Sequence, residues 1–232
     1  MHTILPRLST FTGLVMGRVY LIEDPDGLTI IDTGLELAAS RILKQLEQAG
    51  RKPGDVKRIL ITHGHPDHIG GLPELKARTG AQVVAHALDQ AAIEGRTPVP
   101  RVPADQLKGM ARMMRPGETT LKGTPVDHVV DEGEVLPVLG GLHVLFTPGH
   151  SPGHVAYWQP DQKVVFCGDV IMRLPNLRPP FAAFTVDMAE NQRSLKRLVD
   201  LAPRVVCFGH GQPLTDNTAE RLRAYARKVG AM

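Results

Sequence analysis

His63-Gly64-His65-Pro66-Asp67-His68 puts three imidazoles and one carboxylate within six positions. Imidazole and carboxylate together suit zinc, with iron or manganese as alternatives. Gly64 and Pro66 argue against a helix through the first half of this stretch. The run Val56-Lys57-Arg58-Ile59-Leu60-Ile61-Thr62 before it reads as a strand, so the cluster sits in a loop leaving a strand end. Three later residues share that setting. His150 follows the strand-like run 142–146, Asp169 follows 163–167, and His210 follows 204–208, each through a Gly-bearing turn. Four strand ends meeting at one edge would gather His63, His65, His68, His150, His210, Asp67 and Asp169. That set is enough for two metals sharing a carboxylate, with coordination positions left open for water.

The elements that must position these residues can be read in order. Strands at 18–22 and 28–31 flank Asp24-Pro25-Asp26-Gly27, which has tight-turn chemistry. Leu37, Ile42, Leu43 and Leu46 give residues 36–49 a helical period that closes at Gly50. After the His-rich loop, a helix begins near His68 or Gly70 and stops near Gly80. A strand at 82–85 and a short helix at 87–94 follow. Short strands at 128–130, 134–139, 142–146, 154–158 and 163–168 suggest a mainly antiparallel sheet. Asp187-Met188-Ala189-Glu190 has the spacing of an N-cap with its reciprocal partner, opening a helix whose apolar face carries Leu195, Leu198 and Leu201. A strand at 204–208 and a helix at 218–228 end the chain. Helices outside two packed sheets satisfy this order, in one domain spanning 1–232.

Residues 95–127 break the pattern. Prolines stand at 98, 100, 103, 116 and 125, and Met110, Met113 and Met114 fall within one short stretch that can form an amphipathic helix. A connection this long is expected to be a lid or substrate wall, or else a solvated excursion whose methionines pack on the body.

Composition narrows the class. Apolar residues make up 42% and charged residues 22% of 232, ordinary for a globular protein, and the formal net charge is only +3. Aromatics are 4% of the chain, too few to interleave with a basic surface, so nucleic acid is not an expected partner. No apolar run approaches the roughly 18 residues of a membrane span, and Met1-His2-Thr3-Ile4-Leu5-Pro6-Arg7 lacks the form of a signal peptide. Cys167 and Cys207 lie in apolar strand-like runs and read as buried thiols in a reducing compartment, so a cytoplasmic location is the expectation. The expected assembly is a monomer or homodimer.

With its order of motifs complete, the chain resembles the metallo-β-lactamase superfamily. His63-x-His65-x-Asp67-His68, then His150, Asp169 and His210 carry the resemblance, and Asp32-Thr33-Gly34 matches the aspartate turn that precedes the family's metal motif. It extends from about residue 12 to residue 215. It implies an α/β fold of the α+β kind, a four-layer αββα sandwich. It also implies two divalent ions, most readily Zn2+: His63, His65 and His150 on one, Asp67, His68 and His210 on the other, Asp169 bridging. Asp32 would orient a ligand histidine, and His154 would support the ligands without being one. His86, His128 and His143 read as ordinary surface or core histidines.

Such a site would hydrolyse by an activated water, with Asp67 orienting it and passing a proton to the leaving group. The bridging Asp169 sets the chain apart from true β-lactamases. The short segment after His210 argues against the glutathione thioesters of glyoxalase II enzymes, which use a long C-terminal helical region. Val170-Ile171-Met172 replaces the tyrosine common after this aspartate in acyl-homoserine lactonases. Ribonuclease Z enzymes are longer and carry an arm for tRNA. A small or medium ester, lactone or thioester with an acidic group remains the first expectation. Met110, Met113, Met114, Met172, Leu174, Leu177, Phe181 and Phe184 are its candidate apolar walls. Arg173 and Arg178 either meet its anionic group or merely solvate a Pro-rich loop. The alternatives are a phosphodiesterase and a mononuclear iron oxidoreductase resembling the persulfide dioxygenases.

Overall fold

Valine- and isoleucine-rich runs pair into two mixed sheets in the computed structural model, which describes all 232 residues. The first sheet is ordered β1 (His2–Leu5), β2 (Leu8–Thr10), β3 (Tyr20–Asp24), β4 (Gly27–Ile31), β5 (Val56–Leu60), β6 (Gln82–His86) and β7 (His128–Val130). Its first four strands are antiparallel and its last four, from β4 on, parallel. Helices α1 (Ala38–Gln48), α2 (Pro66–Ile69), α3 (Leu72–Thr79) and α4 (Ala87–Ile93) lie in its crossovers. The second sheet contains β8 (Val135–Leu136), β9 (Leu142–Phe146), β10 (Val155–Gln159) and β11 (Val164–Gly168). A small hairpin, β12 (Met172–Arg173) with β13 (Leu177–Arg178), stands apart. Then α6 (Met188–Asp200), preceded by the five-residue α5 (Gly109–Met113) in the long connection, leads to β14 (Val205–Phe208) and α7 (Thr218–Lys228). β14 joins the second sheet parallel to β11.

Strand alternation divides the core into three layers of packing. On β4, Leu28 and Ile30 meet Ile42, Leu46, Leu72 and Leu75 of α1 and α3, while Ile31 faces the other sheet. Between the sheets, Tyr20, Ile22, Leu60 and Val84 pack on Val144, Tyr157, Val164 and Phe166. On the far face, Val165, Cys167, Val206 and Phe208 meet Leu195, Leu198, Leu222 and Tyr225 of α6 and α7. The result is the expected αββα sandwich. Each fully buried Leu, Ile or Phe contributes on the order of 1.5–3 kcal/mol, so the sandwich is held mainly by these faces.

Two buried tyrosines tie the sheets together beside the ligand loops. Tyr157 Oη donates to the Ile61 carbonyl at 2.9 Å, and Tyr20 Oη donates to the Phe208 carbonyl at 2.7 Å. Ile61 and Phe208 come directly before the stretches that carry His63 and His210, so inter-sheet packing fixes where those loops start. Burial holds both phenol pKa values well above the ordinary value, so both hydroxyls remain donors.

Several sequence expectations change. β7 belongs to the first sheet and runs parallel to β6, because the long crossover through α4 brings the chain back in the same direction. The expected strand 134–139 shrinks to β8, since Pro137 has no N–H to give a ladder and Gly140 turns the chain. Leu37 is 87% exposed and precedes α1 instead of facing the core. The helix after the His-rich loop starts at Pro66 and breaks at Gly70-Gly71. A Cβ on Gly71 would meet the Thr33 carbonyl at 2.6 Å, so the pair lets the Asp32 turn come close. Asp187 caps α6 as expected, accepting from the N–H groups of Ala189 and Glu190, but Glu190 pairs with Arg193 rather than reaching back. The hairpins β1–β2 and β12–β13 were not anticipated. Cys167 and Cys207 are buried free thiols, and no helix is long and apolar enough to cross a membrane.

Candidate metal centre

The seven side chains read from the sequence do converge at the C-terminal ends of β5, β9, β11 and β14. Ligand atoms come together, all within 4.8 Å, in three overlapping sets: His63, His65 and His150; His63, His68 and Asp169; and Asp67, His68 and His210. His63 Nε2 lies 3.1 Å from His65 Nδ1, which lies 2.9 Å from His150 Nε2. On the other side, His210 Nε2 is 3.0 Å from Asp67 Oδ2, and His68 Nε2 is 3.8 Å from the same oxygen. Asp169 touches both groups. Its Oδ2 stands 3.4 Å from His150 Nε2 and 3.2 Å from His210 Nε2, and its Oδ1 stands 3.5 Å from His68 Nε2.

The hydrogen bonds behind these atoms decide which nitrogen carries the proton. Asp32 is buried in a left-handed turn (φ +58°), a conformation Asp tolerates. Its carboxylate can only accept: from the Thr62 N–H and Thr62 Oγ1, both at 2.8 Å, and from His68 Nδ1 at 2.8 Å. Since the Thr62 hydroxyl proton goes to Asp32, its oxygen accepts from His63 Nδ1 at 3.0 Å. His63 and His68 therefore both direct Nε2 into the centre. Thr185 works likewise: its hydroxyl donates to the Phe181 carbonyl and accepts from His150 Nδ1 at 3.1 Å. His154 Nε2 accepts the Asp169 N–H at 3.0 Å, so its Nδ1 donates to Thr147 Oγ1 at 2.9 Å. Asp32 and His154 thus lie behind the converging side chains, Asp32 bonded to Thr62 and His68 and His154 bonded to Thr147 and the Asp169 N–H. Thr62, Thr147 and Thr185 were missed. Thr62 and Thr147 lie within three residues of His63 and His150, a usable signal, whereas Thr185 is brought in only by the fold.

Charge divides the cluster into two halves. Burial depresses His63, His65 and His150, the first and third well below the ordinary value, so they are neutral with lone pairs available. Burial also opposes charge on His68 and His210. There the carboxylates win: Asp32, Asp169 and Asp67 hold His68 up at about 9, and Asp169 and Asp67 hold His210 up at about 10. Burial raises the Asp67 and Asp169 carboxyls, but the neighbouring histidines outweigh it, lowering Asp67 to about 2 and Asp169 further.

This donor set fits metal cations. His68 Nε2 and Asp169 Oδ1 are buried with no hydrogen-bond partner, a costly arrangement unless something between them takes both. A single proton on His65 Nδ1 serves at most one of its two imidazole contacts well, whereas a cation satisfies all three lone pairs. The 2.9–3.1 Å separations also come near the roughly 3.3 Å edge of a tetrahedron with 2.0–2.1 Å zinc–nitrogen bonds.

The proposed substrate contacts scatter more. Asp67 and His210 form the accessible edge, their side chains 20% and 10% exposed against 0–3% for His68 and Asp169. Residues 181–186 border His150, whose carbonyl accepts the Val186 N–H. Phe181 and Phe184 are exposed there, and α5 lies against 182–184 with Met110, Met113 and Met114 exposed on it. The methionines therefore do not pack on the body: five helical residues supply too short a face. Met172 is buried, turned inward by the β12–β13 pairing, and lines no open wall. Arg173 Nη1 is taken by the Gln212 and Pro213 carbonyls, and the Arg178 guanidinium stacks 4.3 Å over the Phe181 ring. Val15 and Met16, unassigned from sequence, are 90% and 52% exposed on a loop pressed against the centre, where a Cβ on Gly17 would meet the Asp67 carbonyl at 2.0 Å.

Known proteins share this architecture. A probable metallo-hydrolase of Bacillus subtilis (strain 168) is 32% identical over 202 residues, 86% of this chain and 83% of that protein. A hydroxyacylglutathione hydrolase of Cereibacter sphaeroides is 32% identical over 173 residues, 74% of this chain but only 54% of the relative. A metallo-beta-lactamase family protein of Thermus thermophilus superposes with a TM-score of 0.74 at 26% identity, covering 99% of this chain and 81% of the other. A subclass B3 metallo-beta-lactamase from a soil metagenome, at 23% identity and a TM-score of 0.70, shares the fold. The family model for the metallo-beta-lactamase superfamily matches residues 12–210, the span that holds every one of the seven converging side chains, and the chain belongs to that superfamily.

Proposed function

We propose that this protein is a hydrolase that holds two divalent cations, zinc first among them, and cleaves an ester, lactone or thioester. The carrying observation is Asp169, whose two oxygens reach toward both halves of the cluster while Oδ1 and His68 Nε2 lack any other partner. His63, His65 and His150 would hold one ion and Asp67, His68 and His210 the other, with Asp169 shared. Bound there, the ions supply a water nucleophile activated near neutral pH and a Lewis acid for the scissile carbonyl.

The chain's own residues do the rest. Asp67 is the most accessible acid of the cluster, and its Oδ2 is engaged with His210. Its Oδ1 faces no protein donor, so that atom can orient the attacking water and carry its proton to the leaving group. Asp32, Thr62 and Thr185 keep the histidine protons on Nδ1, away from the centre. Exposed Val15, Met16, Phe181, Phe184 and the α5 methionines offer an apolar rim for an acyl or alkyl portion. The similarity to a hydroxyacylglutathione hydrolase supports a thioester among the candidates, although the chain spans about half of that relative.

Elemental analysis of protein purified without added metal, with a hydrolysis screen over lactones, thioesters, β-lactams and phosphodiesters, tests the proposal. About two zincs per chain with turnover of a carbonyl substrate is the expected result. One iron per chain, or turnover confined to phosphodiesters, would overturn it.

A further inference from the structure

The two loops that supply His63, His65 and His150 come from different sheets, so something must fix the gap between them. Asp89, on α4, spans it. Its Oδ2 accepts the Gly64 N–H at 2.9 Å, between the two histidines of the first loop, and the Ser151 hydroxyl at 2.6 Å, next to His150. Its Oδ1 accepts the Gly153 N–H at 2.7 Å. The residue is 1% exposed, and its hydrogen bonds come from these three donors alone. The fit is close: a Cβ on Gly153 would meet the Asp89 backbone nitrogen at 2.5 Å and Oδ1 at 2.7 Å. Asp32, by comparison, serves His63 and His68 and touches nothing in the His150 loop.

We propose that Asp89 is a positioning residue that locks the His63–His65 loop to the His150 loop and so sets the metal affinity of the three-histidine half of the centre. This rests on the two-cation reading above. The carboxylate is the only group that fits. All three contacts are donors, and an amide in its place turns an N–H2 toward at least one of them. A buried donor facing a donor forces the loops apart, widening the spacing that the ligand nitrogens need. Outer hydrogen-bond partners of metal ligands typically change metal affinity by about 10–100-fold when removed.

The test is zinc titration of 15N-histidine-labelled protein, following the ring-nitrogen signals of each half separately. In Asp89→Asn, the zinc response of His63, His65 and His150 should move to about 10–100-fold higher free zinc, while His68 and His210 respond as in the unmodified protein. Ser151→Ala removes one of the three donors and should give a smaller shift in the same half. Wild-type response in both variants, or equal weakening of both halves, overturns the proposal. Should Asp89→Asn fail to fold, Ser151→Ala decides alone: no selective weakening of the three-histidine half overturns it. If the unmodified protein gives no zinc response at all, the two-cation reading falls and takes this proposal with it, an outcome distinct from failure in the variants alone.

Discussion

Asp32→Asn is the most informative single change at the centre. Asn tolerates the left-handed backbone at φ +58° and matches the side chain in size, so the variant alters charge and hydrogen bonding with little strain. Ala at the same position would add about 1–2 kcal/mol of backbone cost and confuse the result. Asp32 accepts three hydrogen bonds, and an Asn can accept at only one oxygen. Whichever way the amide turns, it opposes either the Thr62 N–H or the His68 Nδ1–H, leaving a buried donor unpaired at about 1–3 kcal/mol. The negative charge that does most to offset burial at His68 is also gone, so in metal-free protein the pKa of that ring should fall from about 9 toward its ordinary value or below. The expected loss of metal affinity in the His68 half is about 10–100-fold, or roughly 1.4–2.7 kcal/mol. Zinc titration by calorimetry and an NMR pH titration of His68 measure the two effects independently. An unchanged His68 titration, or full zinc affinity with an intact fold, would refute the account of Asp32 as the residue that orients and charges this ligand.

Three other outcomes follow from the same geometry. Asp67→Asn should lower kcat by about 10²–10⁴ under saturating zinc, the usual range for losing a proton-transfer group; full activity with metal bound would remove Asp67 from the chemistry. Gly209→Ala places a Cβ 2.0 Å from Asp169 Oδ1 and 2.8 Å from His68 Cε1, so it should abolish zinc binding while far-ultraviolet circular dichroism stays native; normal zinc stoichiometry would contradict that contact. Metal-free protein should show alkaline destabilisation, because His68 and His210 have folded pKa values of about 9 and about 10, above the usual 6.5. Stability from their charge is complete below about pH 6.5 and is lost as pH rises through about 9 to 10. Zinc-loaded protein should not share that fall, since the cations then hold the carboxylates. Thermal unfolding from pH 6 to 10 in both forms checks this, and a metal-free melting temperature rising over the range would count against it.

The converging side chains were legible because metal-binding residue types are few and each follows a strand end marked by glycine. His150, Asp169 and His210 could be found from one rule, as could the αββα layering from element order. The sheet membership of β7 could not, because a parallel return depends on a crossover whose direction is set by packing, not by local pattern. Thr185 and Asp89 were invisible for a related reason. Their roles lie in contacts across 35 and 62 residues of chain, to His150 and Ser151, and neither residue type stands out where it occurs. Arg173 shows the opposite error. A basic residue a few positions after Asp169 looks like a substrate contact, yet its guanidinium finds backbone carbonyls of the His210 loop first.

Proton placement links these supporting residues into one device. A histidine offers a metal one lone pair only if its proton sits on the other nitrogen, and three of the clustered histidines have that proton claimed by a protein acceptor: His63 by Thr62, His68 by Asp32, His150 by Thr185. All three sit at the closed back of the cluster, where rotation or tautomer exchange would otherwise leave a buried polar atom unpaired. His65 and His210 have no protein acceptor on their second nitrogen, and His210 with Asp67 forms the accessible edge. The centre is thus rigid behind and open in front. Under the proposed function, substrate approaches along the Asp67–His210 edge, between the Val15–Met16 loop and the Phe181–Phe184 segment, because the groups that hold the protons of His63, His68 and His150 close the cluster behind those three rings.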